Sequence, residues 1–231
     1  LIHGKKGWGG LTYIWNFKQT DAFLEVAGHD VVGTWIDLDG NVQINDYQIP
    51  NTNQCKQCHT MGDRMVPIGI RARHLNRDHE YPDGKANQLA YWSRVGILRG
   101  APDHAGAPRL ADYSDPSTGS SDERTRAWLE INCAHCHTVG ARAWNTGLDL
   151  MASQTDGSLL GVYKTPTAAG NGTGGFRYDI IPGKPDESIM LHRIKSIEPD
   201  VAMPELGRTM VHKEGVELVR QWIMDMRMDD I

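Results

Sequence analysis

The chain has 231 residues, a formal net charge of −5 at pH 7 and a hydrophobic fraction of 39%, with only three Phe. An acidic surface repels nucleic-acid phosphates, so we expect no nucleic-acid partner. No run of about 20 apolar residues occurs, which predicts that no segment of the chain spans a membrane. The length allows one large or two small domains, and the low apolar content predicts a thin core.

The first 50 residues have the composition of β structure. Residues 11–15 (LTYIW) and 31–36 (VVGTWI) are rich in aromatic and β-branched side chains, which favour strands. Asp39-Gly40 is a turn signal, and residues 42–44 (VQI) follow it. We predict that residues 1–50 form a β-rich N-terminal segment with a small sheet that supports the next part of the chain.

All four cysteines belong to two copies of one motif, residues 55–59 (CKQCH) and residues 133–137 (CAHCH). Cys-x-x-Cys-His is the attachment signature of c-type haem. Two thiols about one helical turn apart can each add across a vinyl group of one porphyrin, and the histidine that follows can ligate the iron. We therefore predict two covalently bound haem c groups, with Cys55, Cys58, Cys133 and Cys136 as attachment residues and His59 and His137 as proximal iron ligands.

Other roles for paired cysteines explain the motifs less well. Two CxxC pairs can hold a structural zinc, but these pairs stand much further apart in the chain than the two halves of a usual zinc site. A redox dithiol is expected once, in a βαβ context. Disulfides suit an exported protein. None of the three gives a reason for a histidine directly after each pair, so the pattern favours haem.

Three helices are predicted around the motifs. Residues 86–98 have apolar side chains at helical spacing and end at Gly100. Residues 122–132, capped by Ser121 or Asp122, lead into the second motif. Residues 214–228 form a terminal helix with an apolar stripe made by Val216, Val219, Trp222, Ile223 and Met226.

The predicted fold class is mainly α, with two small cytochrome c-like helical haem domains after the β-rich segment. Residues 101–121 are rich in Pro, Gly, Ser and Asp, which indicates a linker. The predicted division is residues 1–50 for the N-terminal segment, 51–110 for the first haem domain and 111–231 for the second.

The group opposite each proximal histidine decides what the iron does, because methionine raises the potential and a second histidine lowers it. Met203 is the predicted distal ligand of the second haem, since it lies in a loop, precedes Pro204 and is followed by the terminal helix. Met210 lies in the same interval and is the rival. The other methionines are predicted to fill gaps in the core.

For the first haem, an internal comparison favours His74. Trp222 of the terminal helix follows Met203, and the equivalent aromatic residue in the first domain is Trp92. Counting back from Trp92 by the same number of residues leads to Arg73, next to His74. Met65 is the alternative, although it follows His59 closely and has a short tether. The remaining histidines, including His79, His104 and His135, are predicted to be surface or incidental residues.

The chain resembles di-haem c-type cytochromes of bacterial exported proteins and lipoproteins. The similar stretches are residues 7–16, 49–55, 67–69, 75–77, 87–92 and 132–137. The later part, with residues 147–150, 182–185 and Met203-Pro204, is also similar to cytochrome c domains of multi-domain bacterial proteins. The resemblance implies haem binding by both motifs and ligation by Met203. Members of that family extend further upstream, and the chain starts at Leu1 without Met, so we expect an upstream segment.

Haem is attached to this motif on the outer side of the bacterial cytoplasmic membrane, so we expect a periplasmic, extracellular or cell-surface location. The leading functional hypothesis is single-electron transfer between donor and acceptor proteins rather than an enzymatic reaction. Electrons would run downhill from the first haem to the second if their ligand sets are His/His and His/Met.

Two alternatives to a simple electron carrier stay open. One is a di-haem peroxidase with one open iron, for which Asp78 or Glu80 could serve as acid or base. The other is a subunit of a larger cytochrome complex, homo-oligomer or filament.

Overall fold

The computed structural model describes residues 1–37 and 39–227. Helices account for 29% of the chain and strands for 20%, and among the described residues the strands form five separate two-stranded ladders. The fold therefore mixes helix and strand, and the prediction of a mainly α class was wrong. Four of the seven helices in the described residues have six residues or fewer, and one of them, Gly157–Leu160, ends at Gly161 in the left-handed conformation that favours glycine.

All five ladders are antiparallel pairs of strands that follow each other in the chain. The longest pairs β5 with β6, with His29 opposite Ile49 and Ile36 opposite Val42. The N-terminal strands thus form three hairpins instead of one supporting sheet. The strands are β1 (Ile2–Gly4), β2 (Gly7–Gly9), β3 (Tyr13–Trp15), β4 (Ala22–Leu24), β5 (His29–Ile36), β6 (Val42–Ile49), β7 (Thr60–Met61), β8 (Arg64–Met65), β9 (Asp78–Tyr81) and β10 (Gly84–Asn87).

Three of the seven helices in the described residues have seven or more residues. The predicted helix at 86–98 is shorter, because residues 84–87 form a strand and the side chain of Asn87 then caps the helix by accepting from the amides of Leu89 and Ala90. The terminal helix ends at Asp225, so it is shorter than predicted; the predicted end, Met228, itself lies outside the described residues. The helices are α1 (Cys55–Cys58), α2 (Ala72–Leu75), α3 (Gln88–Arg94), α4 (Ser121–Asn132), α5 (Gly157–Leu160), α6 (Ile189–Ile194) and α7 (Lys213–Asp225).

The hydrophobic core lies in the second half of the chain. Among the described residues before 125, only Asn76 and Leu89 are buried. Helix α7 packs closely on α4, since a Cβ at Gly215 would come within 2.5 Å of the Trp128 ring. The buried residues that form this core are Trp128, Leu129, Cys133, Ala134, Leu150, Leu160, Val162, Ile180, Leu191, Ile194, Val219, Trp222 and Ile223.

The indole nitrogens of the core tryptophans are satisfied by polar partners. Trp222 Nε1 donates to Asp122 Oδ1 at 2.8 Å, and Trp128 Nε1 donates to His212 Nδ1 at 3.0 Å. Both bonds join α7 or the residue before it to α4, so these aromatic rings fix how the terminal helix lies against the helix that precedes the second motif.

The predicted domain division stays a prediction, and the two stretches that it separates are in contact. Arg77 pairs with Asp112, and the Gly62 amide donates to the Gly140 carbonyl at 2.7 Å. None of the helices in the described residues is long and apolar enough to cross a lipid bilayer, as the sequence predicts.

Truncating a buried side chain of α7 tests this core. Ile223 is fully buried, so we expect Ile223→Ala to lower the free energy of unfolding by about 2–5 kcal/mol through lost burial and a cavity. Met224→Ala, on the same helix but half exposed, is the matched control and should cost less than about 1 kcal/mol. Urea unfolding followed by far-UV circular dichroism measures both, and equal losses would contradict the assigned packing.

Candidate functional site

The first Cys-x-x-Cys-His motif forms a single helical turn. Asn51 starts it, because its Oδ1 accepts from the amides of Asn53 at 3.0 Å and Gln54 at 2.8 Å. The turn is closed by the His59 amide, which donates to the Cys55 carbonyl at 3.0 Å. This turn brings both thiols and the histidine of the motif close together.

The second motif follows directly from α4 and repeats that turn. A capping box starts α4, in which Ser120 and Glu123 each accept from the amide of the other. The helix ends at Asn132, and the His137 amide then donates to the Cys133 carbonyl at 2.9 Å. Both motifs therefore end with the same hydrogen bond, from the histidine amide to the carbonyl of the first cysteine.

Hydrogen bonds orient the two motif histidines in the same way. His59 Nδ1 lies 3.0 Å from the Val66 carbonyl, which can only accept. His137 Nδ1 lies 3.1 Å from Thr146 Oγ1, and that hydroxyl donates its own proton to the Ala143 carbonyl at 2.7 Å. In both rings the proton is on Nδ1, which leaves the lone pair of Nε2 for a metal, as is usual for a ligating histidine.

The buried position of His137 keeps its ring neutral. Burial, with smaller contributions from the charges of Arg193, His135 and Lys164, lowers the pKa of His137 to about 4. A neutral imidazole is the form that ligates a metal.

A cavity of about 380 Å³ lies beside the second motif. Its volume falls in the range of about 300–1,000 Å³ that is usual for sites of small ligands and cofactors. Cys133, Cys136, His137 and Met203 all line it. Its other lining residues include the apolar side chains Leu129, Leu148, Leu150, Ile189 and Ile194 and the basic side chains Arg142, Lys164 and Arg193.

Arg193 of α6 holds the loop that carries Met203. Its Nε donates to the Val201 carbonyl at 3.0 Å, and its own carbonyl accepts from the Met203 amide at 3.2 Å. A guanidinium nitrogen also lies 3.6 Å from a carboxylate oxygen of Glu205. These contacts on both sides of Met203 place its side chain at the cavity wall.

The two motifs touch each other. One ligand atom each from Cys58, His135 and Cys136 lie within 4.8 Å of one another. The Cys136 sulfur also lies 3.6 Å from the Gln57 carbonyl. Among the residues that the structure describes, the buried Nδ1 of His135 has no hydrogen-bond partner. We call Cys58, His135 and Cys136 the junction.

The cysteine thiols differ strongly in pKa. A hydrogen bond from Cys136 and one from His135 lower the pKa of Cys58 to about 4. The same contact between the two thiols raises the pKa of Cys136. Burial raises the pKa of Cys133 to about 12. The junction therefore favours a thiolate at Cys58.

His74 lies in a charged cluster around Glu130, a residue of α4. Glu130 Oε1 accepts from Arg73 Nε at 2.6 Å and lies 2.8 Å from His74 Nε2, and its Oε2 accepts from the Ala152 amide at 2.9 Å. The role of His74 as distal ligand stays a prediction. Ligation by Nε2 would require that this nitrogen leave Glu130.

The other predicted candidates have distinct surroundings. Met65 lies near Cys55, since a Cβ at Gly10 would touch both side chains, at 3.4 Å and 3.1 Å. Met210, the rival of Met203, is half exposed. Asp78 and Glu80, considered as peroxidase acid or base residues, lie on the exposed face of β9.

Several site residues were missed by sequence reasoning. His135 was interpreted as incidental, yet it lies between the motifs. No local sequence pattern predicts the roles of Glu130, Thr146 and Arg193, because these residues act through contacts that are distant in the chain. The sequence did contain a signal for Glu130. A glutamate on the apolar side of a predicted helix, next to Leu129, indicates a buried charge that needs partners.

The chain matches no protein-family model, no curated protein and no solved structure.

Neutralising Glu130 tests the charged cluster. Its side chain is only 1% exposed, so we expect Glu130→Gln to lower the free energy of unfolding by about 3 kcal/mol, because the cationic partners lose their counter-charge in a buried site. Glu187→Gln, which breaks an exposed pair with Lys184, should cost less than about 1 kcal/mol. Urea unfolding of both variants at pH 7 measures the difference.

The pH dependence of stability gives a second test of Glu130. Burial raises the pKa of Glu130, but the bonds from Arg73, Ala152 and His74 outweigh it, so the pKa lies below its ordinary value of 4.5. Its contribution is complete above pH 4.5 and is lost as the pH falls through the lowered pKa. The stability gap between wild type and Glu130→Gln should narrow on acidification, and a gap that stays constant would contradict the assignment.

Proposed function

We propose that the chain is a di-haem c-type cytochrome that transfers single electrons between partner proteins outside the cytoplasm. The observation that carries the proposal is the cavity beside the second motif. One wall presents the two thiols of Cys133 and Cys136 and the ring of His137, and the same cavity is lined by Met203. Two thiols, an imidazole and a thioether around one apolar cavity make up the attachment and axial ligand set of a His/Met haem c.

The chain's own residues fit such a group in detail. Thr146 holds His137 with Nε2 available, and Arg193 holds the Met203 loop from both sides. The apolar lining suits a porphyrin face. Arg142, Lys164 and Arg193 supply positive charge for its carboxylates. Bound haem would supply an iron that changes between the ferric and ferrous states.

The first motif supports a second group of the same kind. His59 has the same ring orientation as His137, fixed by the Val66 carbonyl, and its motif has the same helical turn. We propose His59 as the proximal ligand there. His74 and Met65 are the two candidates for the distal position, and substitution of each in turn would distinguish them.

A metal site is the second candidate function, favoured by the junction. Two thiol sulfurs and an imidazole nitrogen within 4.8 Å of one another resemble part of a zinc ligand set. This candidate uses one cysteine from each motif and leaves Cys55 and Cys133 without a role. Haem attachment gives all four cysteines and both motif histidines a role, so we prefer it.

Haem and metal content separate the two candidates directly. The chain is expressed in a bacterium that attaches haem outside its cytoplasm and purified without metal supplements. We expect two haems per chain by the pyridine haemochrome assay, bonds that survive denaturation, and no stoichiometric zinc by elemental analysis. One zinc per chain and no haem would overturn the proposal in favour of the metal site.

Substitution of Met203 tests the distal ligand of the second haem. Met203→Leu keeps the side-chain volume and removes the sulfur, so we expect loss of the near-infrared band of a Met-ligated ferric haem and a fall in that haem's potential. The fall would be a fraction of the about 0.8 V that axial ligands control. Absorption spectroscopy and a redox titration measure both changes.

Met210→Leu is the matched control, because it makes the same change in the rival methionine. We expect it to leave the near-infrared band and both potentials unaltered. Loss of the band in Met210→Leu but not in Met203→Leu would exchange the two assignments.

A further inference from the structure

The junction brings the attachment residues of the two motifs into contact. Cys58 is the second cysteine of its motif and Cys136 is the second cysteine of the other, and their sulfur atoms lie within 4.8 Å. Cys58 and Gln57 of the first motif also line the cavity beside the second motif. The first motif is therefore part of the wall of the second site.

The contact is built into the backbone. The Gly62 amide donates to the Gly140 carbonyl at 2.7 Å, and Met61 forms an antiparallel bridge with Ala141. Gly140 has a φ of +83°, and a Cβ there would lie 3.3 Å from the Met61 sulfur. The hairpin after the first motif is thus fastened to the segment that directly follows the second.

We propose that the junction is the route by which electrons pass within the protein, because it holds the two haems edge to edge at Cys58 and Cys136. The inference rests on the proposed function. Each of these sulfurs would be bonded to a vinyl-derived carbon attached to its porphyrin, so sulfurs in contact bring the two ring edges together. Electron tunnelling falls steeply with the distance between such edges.

The step balances without any further reactant. With haem in both sites, one electron would pass from the ferrous iron at His59, leaving it ferric, to the ferric iron at His137, making it ferrous. No bond forms or breaks. A ring nitrogen of His135 lies within 4.8 Å of both sulfurs.

The first test is circular dichroism in the Soret region on protein shown to carry two haems. Two porphyrins in edge contact couple their transitions, so we expect a paired positive and negative signal severalfold larger than the sum of two single-haem variants. These variants are Cys55→Ala with Cys58→Ala, and Cys133→Ala with Cys136→Ala. A spectrum equal to that sum would overturn the junction and leave the proposed function intact, whereas a protein without haem would overturn both.

The second test needs no variant and decides the matter if the single-haem proteins do not fold. Electron paramagnetic resonance measures the spin relaxation of one ferric haem in two states of the protein. In the first state the other haem is also ferric, and in the second it has been reduced to the diamagnetic ferrous state. We expect a severalfold slower spin relaxation in the half-reduced protein. Unchanged relaxation would overturn the proposal.

A matched pair of glycine variants tests whether the paired Soret signal depends on the contact between Gly140 and Met61. Gly140→Val adds a side chain against Met61, whereas Gly175→Val adds one at a φ of +82° with no atom within 4 Å. Both carry the same backbone strain. We expect the paired Soret signal to fall severalfold only in Gly140→Val, with two haems retained in each. An equal signal in both variants would overturn the role of the fastened hairpin.

Discussion

The buried carboxylate of Glu130 is the interaction on which the arrangement of the two motifs depends. A charge buried to this extent is costly unless it is paired and hydrogen-bonded. Glu130 belongs to α4, the helix that leads into the second motif, and its nearest side-chain partners, Arg73 and His74, belong to α2 within residues 51–110. Its second oxygen accepts from the Ala152 amide. The bonds that compensate this one buried charge therefore fix α4, α2 and the segment at Ala152 relative to one another, and they bring the motifs side by side.

The thin core is the second constraint. Buried residues are concentrated between residues 125 and 223 among those described, and the cavity beside the second motif opens among them, since Leu129, Leu150 and Ile194 belong both to the core and to its lining. Core side chains that face such a space lack packing partners on one side. A group that fills the cavity would restore those contacts and stabilise the folded state by linkage. The low apolar content of the chain and the cavity thus have one explanation.

Features that depend on local sequence were predicted well. Features that depend on contacts between distant residues were not. The helix before the second motif and the apolar stripe of Val219, Trp222 and Ile223 follow from spacing, and the structure has both. The predicted cap was wrong, because Ser120 caps that helix rather than Ser121 or Asp122. The fold class failed because residues 51–110 were predicted to form a helical haem domain, whereas two hairpins, β7 with β8 and β9 with β10, lie there among short helices. Pairing depends on contacts across the chain, which periodicity does not encode. For the same reason the motifs were predictable, but their contact through Cys58 and Cys136 was not.

The two motifs end with the same hydrogen bond and differ in their surroundings, which bears on the proposed direction of electron flow. Cys133 and His137 are buried within the core, whereas Cys55 and His59 are only partly buried and lie near the exposed N-terminal hairpins. Burial disfavours the extra positive charge of the ferric state, so it raises the potential of a haem. With haem in both sites, the second would have the higher potential even if the distal ligands were the same. A methionine ligand at the second site would add to this difference, so both factors favour electron flow from the first motif to the second.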